Sequence, residues 1–252
     1  RKSAKMIRRI FPLLTIVFIS LTACNKDDDG GDDVASKAEV SFSFELTYDG
    51  QPLQLNTNYK DQHGNDFNVT TFNYYVGNIR LKKADGSETL LKDIVFENYS
   101  DSNSNNTYSA MVTEGSYSSV LFDFGVPPEL NGEDPATYAQ EHPLSITNNM
   151  YWTWATMYIF TKSEGFVSND TASDSWFIHT GLDEMLAANE ERAMEFTLTA
   201  TGKKLVFKLD MKDALTGPTA IDLLTDGKSH TMDNMPLATA WQNNLAKAMM
   251  VE

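Results

Sequence analysis

Apolar and polar positions alternate along most of the chain from about residue 40 onward. Over residues 41–48, Phe42, Phe44, Leu46 and Tyr48 fall on one face of an extended segment, the period of two that marks a half-buried strand. Asp49-Gly50 then turns the chain into residues 51–55, a hairpin signal because glycine accepts the positive φ that such turns need. The pattern returns over residues 67–83, where Val69, Phe72, Tyr74, Val76, Ile79 and Leu81 are apolar, and stops at Ala84-Asp-Gly-Ser87. Further strands are predicted over residues 90–99, 107–113 and 117–124, the last ended by Gly125-Val-Pro-Pro128. Residues 193–199 and 204–211 flank Thr201-Gly202 and predict the two strands of one hairpin.

Helical periodicity is scarce. Residues 134–141 predict a short helix with Pro135 at its first position, where a missing N–H costs nothing. Residues 182–190 are short and rich in Ala, Leu and Glu, and residues 236–249 place Leu237, Ala240, Trp241, Leu245 and Ala248 near helical spacing. The sum predicts an all-β fold, an antiparallel β-sandwich with long loops and a short C-terminal helix. Met150-Tyr-Trp-Thr-Trp-Ala-Thr-Met-Tyr158 holds two of the four Trp residues and reads as a strand. Its indoles and thioethers, with the imidazoles elsewhere, suit soft-metal binding, oxidation or β-core filling, and all three stay open at this point.

The segment before the alternating region is of another kind. Arg1, Lys2, Lys5, Arg8 and Arg9 precede an apolar run of 12 residues over 10–21, the layout of a secretory signal peptide and too short for a membrane-spanning helix. Leu21-Thr22-Ala23-Cys24 resembles a bacterial lipobox, which makes Cys24, the only cysteine, the expected lipid acceptor. Acidic, glycine-containing residues 25–33 cannot bury apolar area and predict a solvated tether. Such an acidic run resembles the surface-export signal of Bacteroidetes lipoproteins. The expected organisation is a signal peptide over 1–23, a tether with lipidated Cys24 over 24–36 and one domain over 37–252. The expected location is the outer membrane, lipid-anchored and facing the exterior.

Charge narrows the partners. The full chain has 20 Lys and Arg against 35 Asp and Glu. Removing residues 1–23 takes five basic residues and no acidic ones, which leaves a formal charge of about −20. Such a chain repels phosphate backbones, so nucleic acid is excluded as an expected partner.

No Gly-x-Ser-x-Gly, zinc-protease His-Glu pair, Gly-rich phosphate loop or Cys-pair zinc pattern is present, and enzymatic activity is not expected. Asp101-Ser-Asn-Ser-Asn105 has oxygen donors at calcium-loop spacing, but Asn106 and Val112 stand where a glycine and a bidentate acid belong, so it reads as a polar loop. Asp170-Thr171-Ala172 resembles the short Bacteroidetes O-glycosylation sequon and makes Thr171 a candidate acceptor. The histidines are His63, His142, His179 and His230. Imidazole and thioether donors suit copper. His142 precedes Met150, His179 follows Trp176, and His230 is followed by Met232 and Met235. His142, His179 and His230 are therefore the candidate metal ligands.

Several segments together resemble the MbnP-like family of copper-binding proteins, often lipoproteins in Bacteroidetes. They are residues 72–81, residues 115–126, His142-Pro-Leu144, Met150-Tyr-Trp-Thr-Trp154 with Tyr158 and Phe160, Glu164-Gly165, and Phe177-Ile-His-Thr-Gly181. The resemblance implies an all-β domain that binds copper, in some members through histidines and a tryptophan oxidised to kynurenine by a partner di-haem peroxidase-like protein. By position, Trp152 matches the oxidisable tryptophan and His179 a histidine ligand. The family pattern places a second histidine two residues after that tryptophan, where this chain has Trp154, so His142 or His230 would have to substitute. The function expected on this basis is a surface lipoprotein that binds copper or aids its acquisition. The alternative is a metal-free binding or accessory module of an outer-membrane protein complex.

Overall fold

A computed structural model describes residues 35–100, 107–152 and 156–252. The expected signal peptide and lipid acceptor Cys24, the expected tether up to residue 34, residues 101–106 and Trp154 lie outside the described residues.

In chain order the strands begin with β1 (Lys37–Tyr48), β2 (Gln51–Pro52), β3 (Tyr59–Lys60), β4 (Asp66–Lys82), β5 (Glu88–Asn98), β6 (Thr107–Thr113) and β7 (Gly115–Phe124). Helix α1 (Pro128–Asn131) leads to β8 (Tyr151–Trp152), β9 (Met157–Ser168), β10 (Ser173–Gly181), β11 (Ala187–Leu198) and β12 (Lys203–Asp210). The chain closes with α2 (Met211–Thr216), α3 (Leu223–Asp226), β13 (Lys228–His230), α4 (Met235–Ala248) and β14 (Met249–Val251).

Among the described residues these strands make two sheets. One runs β14-β12-β1-β2 with β6 also on β1, and the other runs β11-β7-β4-β9-β10-β13 with β3 and β5 on β4 and β8 on β9. The pairings are antiparallel except for β1 with β12 and β10 with β13. The inward faces follow directly from the alternation. Phe42, Phe44 and Leu46 of β1 stand in register with Leu205, Phe207 and Leu209 of β12, and all six are buried. Across the sandwich Phe44 meets Tyr74 at 6.4 Å and Phe207 meets Phe122 at 5.8 Å, both edge-on, the offset geometry that aromatic quadrupoles favour.

The second sheet is covered on part of its outer face as well. β4 is buried continuously from Phe72 to Gly77, with Phe72, Tyr74 and Val76 in the main core and Tyr75 in a second cluster with Leu144, Met150, Tyr158 and Phe160. Backbone carbonyls in the loop before β8 anchor that cluster: Tyr75 donates to the Pro143 carbonyl at 3.0 Å and Tyr158 to the Leu144 carbonyl at 2.9 Å.

Helix α4 begins at an Asn234 cap whose side chain accepts the Leu237 N–H, with Pro236 in its first turn, as helix-start chemistry predicts. Its buried face carries Trp241 and Gln242 against the inner side of the second sheet. Trp241 donates to the Ser163 hydroxyl at 3.0 Å. The Gln242 amide accepts from Thr161 at 3.2 Å and Thr180 at 2.6 Å, and donates to the Phe124 carbonyl at 2.7 Å.

Four sequence expectations change. β11 and β12 are not one hairpin: β11 lies on β7 and β12 runs parallel to β1 in the other sheet. Gly202, at φ +75°, lies where a Cβ would be 2.7 Å from the Glu39 carbonyl, so the turn packs on β1 and delivers the chain to the opposite sheet. Residues 182–190 form a 3-10 turn at Asp183–Met185 and then enter β11, because pairing with the β7 edge overrides a weak helix propensity. Residues 134–141 keep only a 3-10 turn at Pro135–Thr137, too short to propagate without a packed face. Residues 150–158 are not one strand, since Tyr151 and Trp152 pair back onto Tyr158 and Met157.

Glu97 of β5 has no solvent exposure, and Tyr108 of β6, in the facing sheet, donates to its Oε1 at 2.9 Å. Burial pushes the Glu97 carboxyl up to about 8, against the opposing effect of the Tyr108 bond. The folded state therefore holds a proton that the unfolded chain releases above about 4.5, and stability falls as pH rises from there through about 8. Glu97→Gln removes this linkage. Its urea unfolding free energy should gain on the wild type between pH 5 and pH 8, by up to roughly 1.4 kcal/mol per pH unit, and parallel pH profiles would contradict the assignment.

Candidate functional site

Glu164, His179 and Phe177 come to the outer face of the second sheet through simple alternation. On β10, Trp176, Ile178 and Thr180 point inward, the first two into the main core and Thr180 to Gln242. Phe177 and His179 therefore point outward. On β9 the cross-strand partners of Phe177 and His179 are Glu164 and Lys162, which share that face. Gly165 makes the close approach of β9 to β4 possible, since a Cβ there would lie 2.0 Å from the Asn68 carbonyl and 2.7 Å from the Trp176 indole nitrogen.

His230 arrives from the other end of the chain. β13 pairs in parallel with β10, and His230 is the register partner of His179. The pairing is fastened by Thr231, whose hydroxyl donates to the His179 carbonyl at 3.0 Å. The two imidazole centroids are 5.2 Å apart. Trp152, half-buried on β8, completes the group, with its ring 5.4 Å from His179 and 5.9 Å from His230. Phe177 packs on His230 at 4.4 Å. A hollow of about 240 Å³ is lined in part by Glu164, Phe177, His179 and His230.

The two imidazoles differ in environment. His179 is 5% exposed; its Nε2 lies 2.9 Å from Glu164 Oε1 and its buried Nδ1 has no hydrogen-bond partner. Burial lowers its pKa to about 4, and the attraction of Glu164 only partly opposes this. His230 is exposed and its Nδ1 lies 3.2 Å from Asp233 Oδ2. Burial would raise the Asp233 carboxyl, but hydrogen bonds from the His230 backbone N–H and ring outweigh that and hold it below its ordinary value.

The other candidates fall elsewhere. The His142 ring stacks on Tyr138 at 4.0 Å and its Nδ1 accepts the Leu144 N–H at 3.1 Å. Among the described residues it makes no ring contact with Trp152, His179 or His230. Thr171 is exposed in the β9–β10 turn, its hydroxyl donating to Asn169 Oδ1 at 3.0 Å. Among the described residues no group of three or more His, Cys, Asp or Glu side chains is gathered so as to hold a metal ion. Sequence alone does not mark Glu164, Phe177 or Asp233 as site residues: Glu164 and Phe177 lie in segments that carry the family resemblance, and Asp233 is three residues after His230.

The architecture and the site define an all-β sandwich with a histidine pair and a tryptophan on the outer face of its larger sheet. The MbnP family model matches residues 37–234, and the chain belongs to that family. The solved structure of MbnP from Methylosinus trichosporium shares the fold, with a TM-score of 0.54 at 13% identity over 86% of this chain and 98% of that one. None of the curated proteins matches the chain.

The depressed His179 pKa has a consequence for stability. Between about 6.5 and about 4 the unfolded state binds a proton that the folded state refuses, so stability falls as pH drops through this window. His179→Asn should lose less Tm than the wild type between pH 7 and pH 4. Equal losses in the two proteins would show that His179 is not held neutral by burial.

Proposed function

We propose that this protein binds copper, or aids its acquisition, at His179 and His230 beside Trp152, and that it does so without catalysing a reaction of its own. The observation that carries the reading is the cross-strand register that sets these two imidazoles 5.2 Å apart beside one indole. In this reading His230 takes the part that the family pattern assigns to a histidine at the position of Trp154, and His142 has no part.

The donors suit the ion. Imidazole is a good copper ligand, and a buried imidazole nitrogen without a partner, as at His179 Nδ1, is costly to leave unmet. Copper, when bound, would supply a redox-active centre next to Trp152. The chain's own residues do the rest: burial keeps His179 neutral and so able to donate a lone pair, Phe177 packs on the His230 ring, and the pairing of Trp152 with Met157 sets its indole beside both. Trp152 is then the residue we assign to the oxidation known from the family resemblance, with a di-haem peroxidase-like protein as the partner. The lipobox-like Leu21-Thr-Ala-Cys24 and the acidic run after it support an outer-membrane lipoprotein facing the exterior.

A second reading is favoured by one observation, that the described residues gather no three-residue His, Cys, Asp or Glu set. Here the same face serves as a metal-free accessory module of an outer-membrane complex. Equilibrium dialysis of residues 25–252 with copper separates the two. Stoichiometric binding that is lost in His179→Ala and in His230→Ala, and kept in His142→Ala, is the expected result. Copper binding by the wild type no tighter than by His179→Ala would leave the metal-free reading standing.

A further inference from the structure

Each imidazole of the pair is held by its own carboxylate, and each through a different ring nitrogen. Glu164 Oε1 lies 2.9 Å from Nε2 of His179, while Asp233 Oδ2 lies 3.2 Å from Nδ1 of His230. In both cases other donors surround the carboxylate. Lys162 Nζ stands 3.8 Å from the same Glu164 oxygen. The other Asp233 oxygen accepts the His230 backbone N–H at 2.6 Å. An ionised carboxylate is acceptor-only on both oxygens, so the ring nitrogens that face the two carboxylates carry the protons. A neutral imidazole has one N–H and one lone pair. Fixing the first therefore fixes the second.

We infer that Glu164 and Asp233 are positioning residues that impose opposite tautomers on the pair, Nε2–H on His179 and Nδ1–H on His230. The lone pairs left for a ligand are then Nδ1 of His179 and Nε2 of His230. The unpartnered, buried Nδ1 of His179 is the atom this arrangement predicts should wait for a ligand. The inference rests on the copper reading only for the identity of what the lone pairs would take; the tautomers belong to the metal-free protein. A carboxylate behind a ligating histidine is a general device for fixing ring orientation and raising donor strength.

The test is a long-range proton–nitrogen correlation spectrum of metal-free protein labelled with nitrogen-15 histidine, at pH 7. The expected pattern is a protonated Nε2 and bare Nδ1 for His179, and the reverse for His230. Asp233→Ala should return His230 toward the Nε2–H form preferred in water. In a Cu(I) competition titration with a chromophoric chelator, Glu164→Leu and Asp233→Ala should each weaken binding roughly 10- to 100-fold with the folded circular-dichroism spectrum retained. The opposite or a mixed tautomer at either histidine in the wild type overturns the inference, even if Cu(I) binds. The expected tautomers in a protein that binds no Cu(I) support the inference and overturn the copper reading instead.

Discussion

The structure depends on where one amide is buried. Gln242, with no solvent exposure, accepts from hydroxyls on β9 and β10 and donates to the last carbonyl of β7. An unmet amide in that position would cost several hydrogen bonds' worth of desolvation, on the order of 1–3 kcal/mol for each orphaned group. The three strands must therefore present Phe124, Thr161 and Thr180 to α4 together. That demand fixes which face of β10 is inward, and with it which face carries His179.

From there the outer site follows by short steps. Thr180 inward puts His179 outward, and the Thr231 bond to the His179 carbonyl holds β13 alongside. The parallel register then leaves His230 opposite His179. On the same outer face Tyr75 and Tyr158 of the second apolar cluster are tied to the loop before β8, and Trp152 packs against that cluster beside the two rings. The histidine pair is thus supported from the core side by a polar bond network and from the solvent side by aromatic packing.

Desolvation acts on two buried acid–base groups in opposite directions. It pushes the Glu97 carboxyl up to about 8 and the His179 imidazole down to about 4, because in each case burial penalises the charged form. Both groups are consequently held neutral at pH 7. For Glu97 this removes the cost of a charge between the two sheets, and for His179 it preserves a nitrogen lone pair.

The sequence by itself determined the strands over 41–48, 67–83, 90–99, 107–113 and 117–124 and the helix over 236–249, because apolar spacing and caps are local properties. It also singled out Trp152, His179 and His230, through residue chemistry and a family resemblance. Tertiary structure alone decided the partner of each strand, so β11 and β12 parted to different sheets although their turn looked like a hairpin. It paired residues 151–152 back onto 157–158, drew residues 187–190 from a helical composition into β11, and chose His230 over His142 as the companion of His179. Periodicity records which face a residue occupies. Which strand lies beside it is set by packing and by buried hydrogen bonds such as those of Gln242 and Thr231, made between residues far apart in the chain.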